Sequence, residues 1–281
     1  MQAAQVAAGA TDGIAIGRFA DVNAGAVQSI AIGSNAGVSA GATNAVAVGT
    51  NASAEQDDAI AVGNGAQSTG VASIAIGTGA VATGSIGIGA GATASNGGAA
   101  FGDNSTATGI NSTAVGNGAT AMPNGSAAFG QNAVATLTDQ QVFGTAANTY
   151  TAPGITSPLS QSRQSGPLQL VTTLANGNLA SDNGDVFKAI GQLRAGVAVA
   201  LVAEAPSLTQ RENFGMRVGW GNFQGDANAV ALSAIGAFCR GCFTQGDRLA
   251  LDASVGAGWS DYKTYSADNI VGGRAGVQWT W

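Results

Sequence analysis

Arg248-Leu249-Ala250-Leu251-Asp252-Ala253-Ser254-Val255-Gly256-Ala257-Gly258-Trp259 alternates without a break. Successive side chains of a strand point to opposite faces. Leu249, Leu251, Ala253, Val255, Ala257 and Trp259 therefore share one side, and Arg248, Ala250, Asp252, Ser254, Gly256 and Gly258 the other. A soluble meander with one buried face also alternates, but its wet face would be charged. Here that face is mostly Gly, Ala and Ser, which suits a strand with lipid on one side and a pore on the other.

The pattern extends in both directions. Downstream, Val271, Ala275, Val277, Trp279 and Trp281 point outward and Arg274, Gln278 and Thr280 inward. Upstream, Phe214, Met216, Val218 and Trp220 oppose Arg217 and three glycines, and residues 230 to 238 are apolar on one face and small on the other. Residues 213–281 read as four antiparallel strands of an outer-membrane barrel. Tilted strands of about 9 to 11 residues cross the hydrocarbon, but the smallest such barrels have about eight strands. An open edge in lipid leaves backbone groups unsatisfied at several kcal/mol each, so other chains must supply the missing strands. Arg217, Arg248, Asp252 and Arg274 are assigned to the lumen.

Ahead of the strands, Val186, Ile190, Leu193, Val197 and Ala200 recur at spacings of four, three, four and three, a heptad seam on a helix expected over residues 185–204. Asn183 or Asp185 is placed to cap its start, and Pro206 lies beyond its end. An amphipathic helix packed on a soluble domain is the plainer alternative. Between residues 145 and 184, Pro153, Pro158 and Pro167 among many Ser, Thr and Asn indicate a linker or short stalk without regular structure.

Cys239-Arg240-Gly241-Cys242 falls in the turn between the second and third strands. Zinc needs four ligands, and the chain has no histidine and no further cysteine. A redox role and a local disulfide remain; an oxidising periplasm favours the disulfide.

The first half is a repeat. Apolar-small-apolar-Gly segments recur at Ile14 to Gly17, Ile30 to Gly33, Val46 to Gly49, Ile60 to Gly63, Ile74 to Gly77 and Ile86 to Gly89, with weaker copies ending at Gly102, Gly116, Gly130 and Gly144. The closing glycines are 12 to 16 residues apart, mostly 14. Each unit reads as one coil of two short strands, with the aliphatics of each coil buried against the next in a narrow solenoid. The composition agrees: 44 glycines, 9% charged residues and 6% aromatics cannot fill a thick core. Residues 1–144 hold seven acids against Arg18 alone, a net of −6, while the remaining nine acids and nine bases cancel. That balance argues against nucleic acid, which needs clustered Lys and Arg. No segment approaches the ~18 apolar residues of a spanning helix; residues 195–203 are about half that. The start, Met1-Gln2-Ala3-Ala4-Gln5, lacks a basic and an apolar region, so a mature or truncated form with an added Met1 is expected.

Other short-period solenoids fit poorly. A hexapeptide acyltransferase needs a shorter period and a histidine, a calcium roll needs Gly-Gly-x-Gly-x-Asp repeats, and an ice-binding solenoid needs a threonine ladder, whereas these threonines fall in different registers. Paired carboxylates, an activated nucleophile and a phosphate loop are all lacking, so neither an enzyme nor a cofactor is expected.

Gln28-Ser29-Ile30-Ala31-Ile32-Gly33-Ser34-Asn35-Ala36 and Ala72-Ser73-Ile74-Ala75-Ile76-Gly77-Thr78-Gly79-Ala80 resemble the head repeats of trimeric autotransporter adhesins, the YadA-like family. The resemblance implies a mainly β chain: a left-handed parallel β-roll over 1–144, a linker over 145–184 and a membrane anchor over 185–281. Three rolls would pack with aliphatics inward, making Ile30, Ile32, Val46, Val48, Ile74, Ile76, Ile86 and Ile88 a trimer core. Three anchors would give a twelve-stranded barrel whose lumen holds three helices joined along Val186, Ile190, Leu193 and Val197. Trp281 is similar to the terminal aromatic read by barrel-assembly machinery. The function implied is a homotrimeric adhesin in the outer-membrane lipid, its head exposed to a matrix protein, a glycan or another cell, with the anchor assisting export. A non-adhesive structural, surface-layer or pore-forming protein is the alternative.

Overall fold

Each coil of the first half gives one short strand to each of two parallel ten-stranded sheets. One sheet runs through Ile14–Ile16, Ile30–Ile32, Val46–Val48, Ile60–Val62, Ile74–Ile76 and Ile86–Ile88, then Ala99–Phe101, Thr113–Val115, Ala127–Phe129 and Gln141–Phe143. The other runs from Gln5–Val6 to Val134–Ala135. Stacking is in register, Ile30 beside Val46 and Val46 beside Ile60. The computed structural model describes residues 3–209, 211–262, 265–266 and 269–280, which fall into two units, 1–151 and 152–281.

The interior of the roll is alanine, which corrects the expectation that each coil buries its aliphatics against the next. Ala31, Ala47, Ala61, Ala75, Ala100, Ala114 and Ala128 are fully buried, and the facing sheet supplies Ala54, Ser68, Ala82 and Ala107, with Val22 and Val38 as its largest apolar members. Among the described residues, nothing longer than valine is fully buried between the two sheets. In the shortest coil even the methyl is gone, since a Cβ at Gly87 would lie 3.1 Å from the Val81 carbonyl. The flanking Ile and Val consequently point away from this interior. Corner serines satisfy the bends; the Ser29 hydroxyl donates to the Ala42 carbonyl at 2.8 Å. A second correction concerns threonine: Thr93, Thr106 and Thr120 do share one register.

Closing glycines set how tightly coils stack. Gly49 has φ +135° and Gly63 φ +139°. A Cβ on Gly49 would lie 2.3 Å from the Gly63 carbonyl oxygen, and one on Gly63 2.4 Å from that of Gly77.

In the second unit, a helix (Asp185–Val202) lies against one sheet whose strands are, in chain order, Phe214–Phe223, Ala227–Arg240, Arg248–Tyr262 and Ile270–Thr280. All pair antiparallel, the second and third are central, and the first and fourth form the edges. A register shift interrupts the second strand between Ala237 and Cys239. No described helix is long and apolar enough to cross a membrane, which has no bearing on crossing by strands.

The linker does contain regular structure, against expectation. A 3-10 turn (Pro153–Thr156), a short helix (Pro158–Ser162) and a hairpin pairing Val171–Thr173 with Leu179–Ser181 precede the main helix. Pro153 and Pro158 each sit in the first helical turn, where a missing N–H costs nothing and the fixed φ is favourable; here proline starts an element rather than breaking one.

Gly63→Ala should disrupt coil stacking, whereas Gly65→Ala, at φ +66° with open space around its Cβ, should cost only about 1 kcal/mol. Thermal unfolding of the full chain followed by circular dichroism checks this; equal midpoints for the two variants would count against the packing described.

Candidate functional site: two apolar faces

The alanine interior leaves the large side chains of the roll outside. Ile30, Ile32, Val46, Val48, Ile74, Ile76, Ile86 and Ile88 form two parallel rows on one sheet face, half-buried except for Ile76, which is exposed. Such a contiguous aliphatic stripe exceeds the scattered apolar exposure normal for a soluble monomer.

In the second unit the sheet has a small inner face and a large outer one. The helix packs through Gly191, Ala195, Ala198, Val199 and Val202. A Cβ on Gly221 would lie 2.4 Å from Val202 Cγ1, one on Gly219 2.8 Å from the Val202 carbonyl, and one on Gly258 2.7 Å from the Ala195 carbonyl. The inward glycines are thus the seat of the helix. The seam residues lie elsewhere on it: Val186 and Leu193 are exposed, Ile190 and Val197 half-buried. Sequence reasoning found that stripe and missed the buried one, although Gly191, Ala195 and Ala198 were visible at spacings of four and three.

The four charged residues assigned inward all lie on the helix side. Asp252, only 4% exposed, meets Arg274 at 3.3 Å and Gln278 at 3.4 Å. Arg217 pairs with Glu204. Arg248 donates to the carbonyls of Leu208 (2.8 Å) and Thr209 (2.7 Å). Arg217 and Arg248 thereby fasten the segment between helix and first strand to the sheet. Arg194, which sequence reasoning did not single out, does the same for the helix by pairing with Asp226 while lying over the Phe223 ring at 5.8 Å. The signal was available, since Arg194 is the one base in the middle of an otherwise apolar helix.

Cys239 and Cys242 are joined as a disulfide, Cα atoms 6.0 Å apart. The loop beyond it buries Asp247, whose carboxylate accepts from the Phe243 amide (3.0 Å) and the Trp279 indole N–H (3.3 Å). Phe243 and Trp279 also meet edge to face, centroids 5.5 Å apart. This ties the end of the fourth strand to the loop between the second and third. Trp281 lies outside the described residues.

Neither expected residue caps the helix. Gly184 occupies the cap position with φ +78° and no side-chain bond, and Asp182 takes over. Its carboxylate accepts from the amides of Leu170 (2.8 Å), Gly184 (2.9 Å) and Val186 (3.2 Å). Partial desolvation raises its pKa, but the bonds from Gly184, Leu170 and Val186 outweigh that and hold it below the ordinary 3.8. One carboxylate thus joins hairpin and helix.

A parallel β-roll with outward aliphatic rows, followed by a helix seated on four antiparallel strands, defines the class. Comparison adds a likeness: the model for the YadA head domain repeat matches residues 40–66, 68–85 and 96–119. A crystal structure of the collagen-binding domain of the Yersinia adhesin YadA is similar at 21% identity and a TM-score of 0.35, over 68% of this chain and 96% of that one. No curated protein matches the chain. The head repeats are thus similar to those of the YadA-like adhesins.

Two outcomes are expected. Gly258→Val should unseat the helix, since overpacking costs about 1–3 kcal/mol; the detergent-extracted protein should lose its compact gel form at a lower temperature than wild type, and unchanged heat resistance would contradict the seat. Second, because the folded-state pKa of Asp182 is depressed, its stabilisation is complete above the unfolded value and lost as pH falls through the folded one. The Leu170 and Gly184 amide resonances should titrate with a midpoint below 3.8 and stop titrating in Asp182→Asn.

Proposed function

We propose that three copies of this chain form one outer-membrane adhesin, each giving four strands to a twelve-stranded barrel and one helix to its lumen. The observation that carries the proposal is the sheet of the second unit. Its outer face exposes Val218 (79%), Val271 (71%) and Trp220 (70%), while among the described residues neither edge strand has an outer neighbour. Lipid would cover that face. First and fourth strands of adjoining copies, 10 and 11 residues long, would pair the edges, as a bilayer demands of every backbone group.

The helix supports the same reading. Its sheet-facing side is occupied, and Val186, Ile190, Leu193 and Val197 form a separate stripe at heptad spacing, the arrangement that joins parallel helices. On this reading the anchor also assists passage of the head to the surface, the chain carries out no chemistry of its own, and the exposed roll contacts a matrix protein, a glycan or another cell.

Two measurements test this. Detergent-extracted protein should run with the mass of three chains unheated and of one after heating; one-chain mass under mild conditions would sink the architecture. Deleting residues 1–144 should leave the anchor in the membrane while abolishing attachment to coated surfaces and to neighbouring cells. Attachment that persists would end the adhesive reading and leave the barrel intact.

A further inference from the structure

Thr93, Thr106 and Thr120, which share a register, belong to a larger array. They lie on the sheet of the roll opposite the aliphatic rows, where Ser68, Ala82, Ala94, Ala107, Ala121 and Ala135 point inward and are buried. The residues flanking each of these therefore point out. The row on the near side contains Thr93, Thr106 and Thr120, paired in succession. The row on the far side contains Thr69, Thr83, Ser95, Thr108 and Thr136. Thr83 stands beside Ser95, and the Thr69 and Thr108 amides donate to the Ala82 and Ala121 carbonyls of the next coil, at 2.9 and 3.2 Å. Gln67, Val81, Met122 and Val134 complete the two rows.

This part of the face is neutral. Earlier coils of the same sheet carry Asp21 and Glu55, but between Asp58 and Asp139 the one charged residue is Asp103, in a turn. Its hydroxyls are also largely free. Among the described residues those of Thr69, Thr106 and Thr108 have no partner within the chain, and those of Thr93 and Thr120 reach only the Gly91 and Gly118 carbonyls, at 3.5 and 3.4 Å. Branching at Cβ restricts χ1, so a hydroxyl and a methyl recur along each row at the coil spacing of about 4.8 Å, and the two rows stand about 6.6 Å apart.

A ligand that meets many of these groups together must itself repeat in two directions, carry no charge, and offer both donors and acceptors. A folded protein surface does not repeat in this way. Sugar rings are commonly held by stacking on aromatic side chains, and neither row has one. The two spacings are close to those of water oxygens on the prism faces of ice. We infer that the roll binds ice through this face, threonine hydroxyls taking the places of surface water and methyls filling the hollows between. A hydroxyl donates or accepts as its neighbour requires, whereas a carboxylate or ammonium would order water around itself against the crystal. Each contact is weak, but a rigid sheet makes them act together. This function goes beyond the matrix, glycan and cell contacts proposed above; it needs the head to be displayed and no particular number of copies.

Uptake of cells into a slowly advancing ice front tests this. Cells displaying the full chain should enter the ice, and cells whose chain lacks residues 1–144 should be pushed ahead of it. Thr106→Lys, in the middle of the array, should lower uptake about tenfold or more, because contacts that act together are lost together. Thr78→Lys, in an exposed turn, should leave it unchanged. Wild-type uptake no greater than that of the head-deleted cells would overturn the inference, as would uptake that Thr106→Lys leaves intact or that Thr78→Lys lowers equally. Binding to crystalline cellulose or chitin in place of ice, lost in Thr106→Lys, would give the face to a glycan and overturn it too. Crystal shape gives a reading free of any variant: ice grown with the detergent-extracted wild-type chain should show flat prism faces absent with detergent alone, and rounded crystals would count against the assignment. Attachment of the same cells to coated surfaces and to one another, followed in parallel, separates the two readings, since its persistence without ice uptake leaves the adhesive function standing.

Discussion

At Gly49 a single added carbon would sit 2.3 Å from the next coil's carbonyl oxygen, and at Gly258 one would sit 2.7 Å from the Ala195 carbonyl on the helix. Close approach of backbone to backbone is the constraint on which both units rest. In the roll it lets successive coils stack closely at their closing glycines, around an interior filled mainly by alanine. In the second unit it lets a helix sink onto a sheet. Side chains of ordinary size are excluded from both places, because interiors tolerate little overpacking.

The excluded side chains define the surfaces. Ile and Val of the roll, and Val, Leu, Phe and Trp of the strands, have nowhere to go but outward. An ordinary domain hides its large apolar residues within itself; here a single chain hides its small ones. On the proposed reading, much of the apolar stabilisation, about 25 cal/mol for each Å² removed from water, would come from contact outside the chain. The polar groups follow the same logic, since Arg217, Arg248 and Asp252 lie on the inner face and bind neighbouring segments of their own chain.

Much of this was legible in the sequence. Alternation over residues 248–259 and the recurring closing glycine each express a strict period, and a period survives translation into structure because it is a property of the backbone. The direction of burial was harder to see. Ile30-Ala31-Ile32 alternates identically whether the isoleucines or the alanine face inward, and hydropathy favours the wrong answer for one chain. The helix posed the same problem: Val186, Ile190, Leu193 and Val197 announced a seam, while the face that packs within the chain was the quieter Gly191, Ala195 and Ala198 stripe. Asp182 and Asp247 were invisible for another reason. Each acts through backbone amides or a residue far along the chain, and no local pattern marks such bonds.

On the proposed reading, each chain folds on its own contacts before it assembles. Inter-coil hydrogen bonds and the alanine interior are local to a chain, so a roll can form coil by coil from neighbouring contacts alone, as solenoids do. The sheet of the second unit gains three internal antiparallel pairings and the Arg274–Asp252 pair in the same way. What the described residues of a single chain lack is cover for their large side chains and outer partners for the edge strands. Both would be met by like chains, and both lie on surfaces already shaped before contact. Little ordering entropy then remains to be lost on assembly, the condition under which modest contacts hold tightly.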